Sequence, residues 1–279
     1  MNSIALTDHG VMFGAIDFYK ACKANGVKPI IGCEVYVAPR GRKDKEPKID
    51  EKYNHLILLA KNNDGYKNLA KLVSLGFTEG FYYKPRIDKE ILEKYHDGLI
   101  CLSACLAGEV SQAILNNNIE EAKKVALWFK NLFGEDYYLE VQNNGIKEQV
   151  LVNQKLVELS RELEIPLVAT NDAHYLKRED AYNHEVLLCI QTGKRMNDED
   201  RMRFDTEELY VKSPEEMIDY FKNIPDAVEN TVKIAEKCNV EFEFGHTILP
   251  NYDVPEQYAT HYDYLEKLTV DGLTKRYGE

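Results

Sequence analysis

The chain has 279 residues with ordinary apolar and charged fractions, enough for one large α/β domain or for a barrel with a small appendage. Its 35 basic and 47 acidic residues give a net charge of −12, which argues against an electrostatic clamp for nucleic acid, since such a clamp carries a basic face. The six cysteines have no paired spacing, and we find no signal peptide and no apolar stretch of membrane length. We therefore expect a reduced, cytoplasmic protein with no disulfides and no membrane partner.

Short apolar runs alternate with amphipathic segments as far as about residue 195, which is typical of a parallel β/α architecture. The six predicted strands lie in SIALTDHG (3–10), KPIIGCEVYVAPR (28–40), HLILLAKN (55–62), LICLSACL (99–106), DYYLEVQ (136–142) and IPLVATNDAHY (165–175). The predicted helices between them lie at 13–26, 64–77, 108–116, 119–134 and 147–164. The pattern predicts an α/β fold with a metal site at the mouth of a barrel.

After residue 195 the pattern changes to helices with clear capping signals. Residues 213–216 read Ser-Pro-Glu-Glu before an apolar run, and Pro225 with Asp226 opens another helix. The segment 249–258 then leads into a final amphipathic stretch that resembles a connector. We therefore predict a barrel over residues 1–195 and a helical C-terminal part with a connector over residues 196–279.

Residues of metal-ligand type lie at or just beyond the ends of several apolar runs. They are His9, Glu34, His55, Cys105, Asp172 and His174. Because the carboxyl ends of parallel strands meet at one rim, most of these side chains are expected to converge there. His55 fits this rule worst, since it precedes its apolar run. Any one of them alone is more typical of an ordinary core or surface residue, and Cys105 alone is typical of a small buried hydrophobe.

The remaining histidines lie in helical or loop contexts where an ordinary structural role is favoured. They are His96, His184, His246 and His261. The converging set mixes imidazole, carboxylate and thiolate, a combination that favours zinc, with manganese or iron as competitors. A divalent ion held there would acidify water and polarise a phosphoryl oxygen, which is the chemistry of phosphoester hydrolysis.

Several longer motifs resemble one family over essentially the whole chain. They are TDHG (7–10), GCEVYVAPR (32–40), HLILLAKN (55–62), GFYYKPRID (80–88), LSACLAGEV (102–110), YLEVQNNGIKEQ (138–149), TNDAHY (170–175) and RFDTEELYVKSPEEM (203–217). Together they resemble the polymerase and histidinol phosphatase (PHP) domain found at the N-terminus of the bacterial replicative DNA polymerase III alpha subunit. The resemblance implies a distorted seven-stranded β/α barrel with up to three metal ions at its mouth.

The resemblance also implies how the ligands are shared. Glu34, His55 and Cys105 correspond to the ligands of one metal, Glu34 bridges to a second metal shared with Asp172, and the remaining pair, His9 and His174, resembles part of a third site. The family opens with a strand bearing His-x-His and a further ligand, and this opening is not present here. We therefore expect an N-terminally truncated barrel that lacks its first strand, with fewer than three metals and impaired hydrolysis. An open edge on the strand at 4–7 would invite pairing with another chain.

Two further residues are weighed as accessory groups. Arg86, in YYKPRID, is expected either to contact a substrate phosphate through its planar fork or to serve as a surface or capping arginine. Asp8 alternates with His9 along the strand and is expected to point away or to support the ligands indirectly.

Three functions remain open on the sequence. The first is a metal-dependent phosphoesterase or 3′-5′ exonuclease-type site in a polypeptide that synthesises DNA, whose parent enzyme would be a DNA-directed DNA polymerase. The second is a non-catalytic scaffold that docks a proofreading exonuclease subunit or other replisome partners. The third is a free-standing phosphatase of the histidinol-phosphate type, which the polymerase-like motifs disfavour. The chain itself has no palm-type acidic strand motif, so DNA would be a partner in the context of the full polymerase.

Overall fold

The computed structural model describes residues 1–247, 249–250 and 252–278. Its strands are β1 (Ser3–Leu6), β2 (Lys28–Val37), β3 (Asn54–Ala60), β4 (Phe81–Tyr82), β5 (Lys84–Ile87), β6 (Leu99–Leu102), β7 (Tyr137–Gln142) and β8 (Leu167–Thr170). Its α-helices are α1 (Ala15–Ala24), α2 (Asn63–Thr78), α3 (Lys89–Lys94), α4 (Glu109–Leu115), α5 (Ile119–Phe133), α6 (Lys147–Leu163), α7 (Ala181–Thr192), α8 (Pro214–Tyr220), α9 (Pro225–Lys237) and α10 (His261–Tyr277).

The eight strands form one sheet in the order β4-β5-β2-β3-β6-β7-β8, with β1 paired to the long strand β2. Most neighbouring strands are parallel, as the alternating pattern predicts. β3 is different, because it runs antiparallel to both β2 and β6. The short hairpin of β4 and β5 was not predicted, because two- and four-residue strands leave no measurable periodicity.

One face of the curled sheet carries the inner core. Side chains two residues apart share a face of a strand, so Ile30 on β2, Ile57 and Leu59 on β3, and Ile100 on β6 point the same way. These four residues belong to one buried cluster with Tyr138, Val168, the α9 residues Ile234 and Ala235, and Cys238 directly after α9. The same face becomes polar further along the strands, at Glu34, His55 and Glu140. The interior therefore has an apolar end against α9 and a polar end.

The sheet does not close into a complete ring within the described residues. β1 pairs only with β2, and β8 pairs only with β7. The ends of these two strands nevertheless approach each other, since the ring centroids of His9 and His174 lie 6.1 Å apart. The predicted fold class, a distorted α/β barrel with C-terminal helices, is confirmed, and β1 keeps the open edge that the sequence led us to expect.

The chain divides into two compact units, residues 1–241 and 242–279. The helices α8 and α9, which lie in the predicted helical C-terminal part over residues 196–279, belong to the first unit, and the domain division after residue 195 stays a prediction. The second unit contains α10, which begins with a capping box in which Thr260 and Asp263 exchange hydrogen bonds. No helix in the described ranges combines the length and the apolarity that a bilayer crossing requires.

Candidate metal centre

Three donor side chains converge at the polar end of the sheet interior. Oε1 of Glu34 lies 2.8 Å from Nδ1 of His9 and 2.5 Å from Nδ1 of His55. One ligand atom from each residue lies within 4.8 Å of the others. Glu34 is buried, His55 is mostly buried, and His9 is half exposed. The cluster is therefore anchored in the interior and open to solvent on the His9 side.

The pairing of β2 with β3 places Glu34 and His55 together. In the antiparallel register Tyr36 faces His55 and Glu34 faces Ile57, so Glu34 and His55 are diagonal neighbours on one face. The reversed direction of β3 explains why His55 reaches the rim from the beginning of its strand. Its amino end lies beside the carboxyl end of β2, which resolves the misfit seen in the sequence.

His9 joins the cluster because the chain after β1 continues alongside β2. His9 bridges to Glu34, whose N–H donates to the Asp8 carbonyl, and Gly10 N–H donates to the Glu34 carbonyl. Gly10 has φ +68°, and a Cβ there would come within 2.7 Å of the Tyr36 ring. Only glycine fits this turn without strain, so the TDHG motif fixes the direction in which His9 projects.

Two imidazole nitrogens surround one buried oxygen of Glu34. Its Oε1 is buried and has no hydrogen-bond partner among the described residues, although two imidazole nitrogens lie close to it. The three ligand atoms converge on one point, as the ligands of a common ion do, and each imidazole also pairs with the Glu34 carboxylate. Burial acts to raise the pKa of Glu34, but the two imidazoles outweigh it and hold the pKa at about 2. Contact with Glu34 raises the pKa of His9 above its usual value.

Cys105 lies at the edge of this cluster. Its Sγ is 3.6 Å from Nδ1 of His55, and burial raises the pKa of its thiol far above the ordinary value. The preceding residue, Ala104, is buried and has φ +63°, a left-handed conformation that is unusual for alanine. The tight trio thus contains His9 with Glu34 and His55, whereas the resemblance groups Cys105 with those two residues.

Asp172 and His174 approach from the end of β8. Nδ1 of His174 lies 2.9 Å from the backbone carbonyl of Asp172, whose own backbone is left-handed at φ +48°. Burial raises the pKa of Asp172, and the charges of His174, His9 and His55 oppose that shift. The six residues predicted as ligands therefore meet at one end of the barrel, while their role as ligands stays a prediction.

The segment 206–212 holds the Asp172 loop in place. His174 N–H donates to the Leu209 carbonyl at 2.8 Å, and Asn171 Nδ2 donates to the Tyr210 carbonyl at 2.7 Å. Lys212 is almost fully buried, donates to Asn171 Oδ1 at 3.1 Å and also bonds the Glu208 carbonyl. The polymerase-like motif RFDTEELYVKSPEEM thus acts as a brace for the residue beside Asp172.

Arg86 and Asp8 contact parts of the protein fold outside the cluster of His9, Glu34 and His55. Arg86 is fully buried, and its guanidinium donates to the backbone carbonyls of Gly80, Asp50, Arg42 and Asp44. This placement disfavours the phosphate contact, because the planar fork is already occupied by loop carbonyls. The Asp8 carboxylate lies against Gly14 at the start of α1, 3.4 Å from the position of a Cβ built there.

Some residues near the site gave no usable sequence signal. The ring of His184, on α7, lies 5.4 Å from that of His174, although its helical context favoured an ordinary role. Glu140 is buried on the interior face, its Oε2 has no partner among the described residues, and burial raises its pKa to about 7. Lys84, in the β4–β5 hairpin, lies close enough to lower the pKa of His9. Convergence in space, which a single sequence does not record, brings these groups together.

The model of the PHP domain family matches residues 1–144, more than half of the chain. The chain belongs to the PHP domain family. The matched span of this PHP chain holds His9, Glu34, His55 and Cys105, while Asp172 and His174 lie beyond it. The family assignment made from the motifs is confirmed.

Three relatives of the PHP chain carry the name DNA polymerase III subunit alpha. The PHP chain is 53% identical over 279 residues to the DNA polymerase III subunit alpha of Borreliella burgdorferi, and the match covers 99% of the chain and 24% of that relative. The corresponding subunit of Treponema pallidum is 47% identical over 277 residues, with coverages of 99% and 24%. That of Thermus aquaticus is 45% identical over 286 residues, with coverages of 99% and 23%. The chain spans about a quarter of the length of these relatives.

Proposed function

We propose that this chain contributes a metal-dependent phosphoesterase site of the 3′-5′ exonuclease type to a cytoplasmic replicative DNA polymerase. The observation that carries the proposal is the convergence of His9, Glu34 and His55, whose ligand atoms lie within 4.8 Å of one another around a buried carboxylate. The names of the relatives support the polymerase context, with DNA as substrate and replisome subunits as partners.

Zinc is the proposed ion, with manganese or iron as alternatives, because the surrounding donors combine imidazole, carboxylate and thiol. Such an ion supplies Lewis-acid polarisation of a phosphoryl oxygen and acidifies water. His9, Glu34 and His55 would hold it, and Cys105, Asp172 and His174 would complete its surroundings.

The chain's own residues set the charge and the access of the site. Glu34 stays ionised at neutral pH because its pKa is held at about 2, so it supplies a permanent negative donor. His9, half exposed, forms the solvent side through which a substrate would enter. Lys84 lies near His9 and over the Tyr36 ring at 5.5 Å, and we assign to its ammonium the phosphate contact first considered for Arg86.

The test is metal uptake followed by hydrolysis. The purified chain is stripped with chelator, reloaded separately with Zn²⁺, Mn²⁺ or Fe²⁺, and assayed on a 3′-labelled single-stranded oligonucleotide. We expect fewer than three bound ions and slow hydrolysis that Glu34→Gln abolishes. Glu135→Gln, a carboxylate 86% exposed at its side chain, is the matched control and should leave both readouts unchanged. Absence of hydrolysis with all three ions would overturn the proposal.

One observation favours a second function, a non-catalytic scaffold that docks a proofreading exonuclease. Among the described residues only one tight group of three donors converges, fewer than a site for three metals requires. Under this alternative, the ion stabilises the barrel and Glu34→Gln lowers thermal stability, with no hydrolysis to lose.

A further inference from the structure

A cavity of about 520 Å³ lies between the start of α7 and the segment 204–208. Its size falls in the range of small-ligand pockets, which suits a nucleoside. None of the six predicted ligands lines it, so the proposed metal chemistry leaves it unexplained.

Aromatic rings form much of the cavity wall. Tyr175, Tyr182, His184 and Phe204 all line it. The rings of His184 and Phe204 are stacked, with centroids 5.8 Å apart and planes inclined by 28°, and Tyr175 approaches His184 at 5.5 Å. Tyr182 is 66% exposed, so its ring is available to a ligand. Ring faces that line an open cavity are stacking platforms for planar bases.

The charged part of the wall selects against a phosphate. Carboxylates of Glu185, Asp205, Glu207 and Glu208 line the cavity. Glu208 pairs with the lining Arg178 at 2.5 Å, Glu185 with Arg201 at 3.0 Å and Asp205 with Arg203 at 3.4 Å. The arginine that lines the cavity is already paired, so the wall offers little to an anion, whereas the ring N–H and exocyclic amine groups of a nucleobase would donate to carboxylate oxygens. The wall chemistry therefore fits an uncharged aromatic amine.

The cavity shares its inner wall with the surroundings of the metal centre. The His174 ring lies 5.5 Å from Phe204 and 5.4 Å from His184, and 6.1 Å from His9 on its other side. We propose that this cavity binds the terminal nucleobase of a single strand, leaving the attached phosphodiester at the mouth of the metal centre. The placement of the phosphodiester rests on the proposed function, whereas recognition of the base does not.

The test measures binding of 2′-deoxyadenosine to the metal-free protein by NMR titration, with 2-deoxyribose as the ligand control. Tyr182→Ala and Phe204→Ala should each weaken nucleoside binding by about 5- to 150-fold, the range that loss of one base–aromatic stack corresponds to. Tyr262→Ala, an exposed tyrosine of the second unit that does not line the cavity, should have no effect. Phe204→Leu keeps the apolar bulk, so a binding loss in this variant with unchanged circular dichroism assigns the effect to stacking.

No binding of 2′-deoxyadenosine, or binding that both alanine variants leave unchanged, would overturn the inference. A second arm compares hydrolysis of an oligonucleotide ending in a normal 3′ nucleotide with one ending in an abasic residue, and the abasic end should be the poorer substrate. Equal hydrolysis of both ends counts against the base pocket and leaves the metal site standing. Nucleoside binding without any hydrolysis supports the pocket and counts against the proposed phosphoesterase.

Discussion

Oε1 of Glu34 and Nδ1 of His55 lie 2.5 Å apart across two antiparallel strands, as diagonal neighbours on the inner face of the sheet. This contact depends on the direction of β3, because a parallel β3 would carry His55 to the opposite end of the barrel. The strand that departs from the regular alternation is therefore the one that completes the donor trio.

Replacing His55 and Cys105 together by alanine should abolish metal binding without unfolding the barrel. Both side chains lie at the rim and outside the inner core cluster, so their loss removes donors but little packing. Elemental analysis beside circular dichroism checks the result, with His96→Ala combined with Cys189→Ala as the matched control pair. Collapse of the fold would make the ion structural, and retained metal would show that other residues hold it.

Glu140→Gln should stabilise the metal-free protein at pH 8 by about 1–3 kcal/mol. Because burial raises the folded-state pKa of Glu140 from 4.5 to about 7, its contribution to stability is fully present below pH 4.5 and is lost as the pH rises to about 7. Glutamine does not ionise, so the variant escapes this loss and should differ from the wild type by less than about 1 kcal/mol near pH 5. Urea unfolding at both pH values checks this expectation, with the exposed Glu120→Gln as control. A gain of equal size at pH 5 would contradict it.

Asp172→Asn should stabilise the metal-free fold above neutral pH and weaken metal binding. Burial raises the pKa of Asp172, so its contribution is lost as the pH rises above the ordinary range of an aspartate, and asparagine tolerates the same left-handed backbone. The side chain is 27% exposed, so the gain should be smaller than at Glu140. Denaturant unfolding and a competitive chelator titration measure the two effects. Asp97→Asn, at a side chain 88% exposed, should change neither.

Lys212→Met should weaken metal binding by about 10- to 100-fold, the usual effect of losing a group that orients a ligand. Methionine keeps the length of the side chain but leaves Asn171 Oδ1 without its donor, which frees the neighbouring Asp172. The free energy of unfolding of the metal-free protein should fall by about 1–2 kcal/mol. The variant loses a buried charged hydrogen bond, but this loss is partly offset because the cost of burying the charge is also removed. Chelator competition and urea unfolding test both parts.

The control for this prediction is Lys222→Met, the same substitution at a side chain that is 67% exposed. It should leave metal affinity and stability unchanged. Equal metal affinity in Lys212→Met and the wild type would show that the brace does not act on the centre.

The sequence predicted the barrel and the residues of its rim because both depend on local pattern. Apolar runs mark β2, β3 and β6, and the polar residues beside them mark the rim. An apolar run has no direction, so the reversal of β3 was not predictable from periodicity. The sequence made Arg86 a candidate phosphate contact because of its planar guanidinium. Its actual partners are loop carbonyls from residues up to 44 positions away, which a local pattern does not reveal. The approach of the His184 ring to His174 was also not predicted, because it depends on the path of the chain between β8 and α7.

The open edges of β1 and β8 lie beside the candidate metal centre, which could therefore stabilise this part of the barrel. His9 and His174 stand on either side of a seam that no backbone hydrogen bond closes among the described residues. An ion bound by both histidines would link β1 to β8, two strands that are not joined by backbone hydrogen bonds among the described residues. Removal of the ion would then increase the rate of amide hydrogen exchange in β1 and β8.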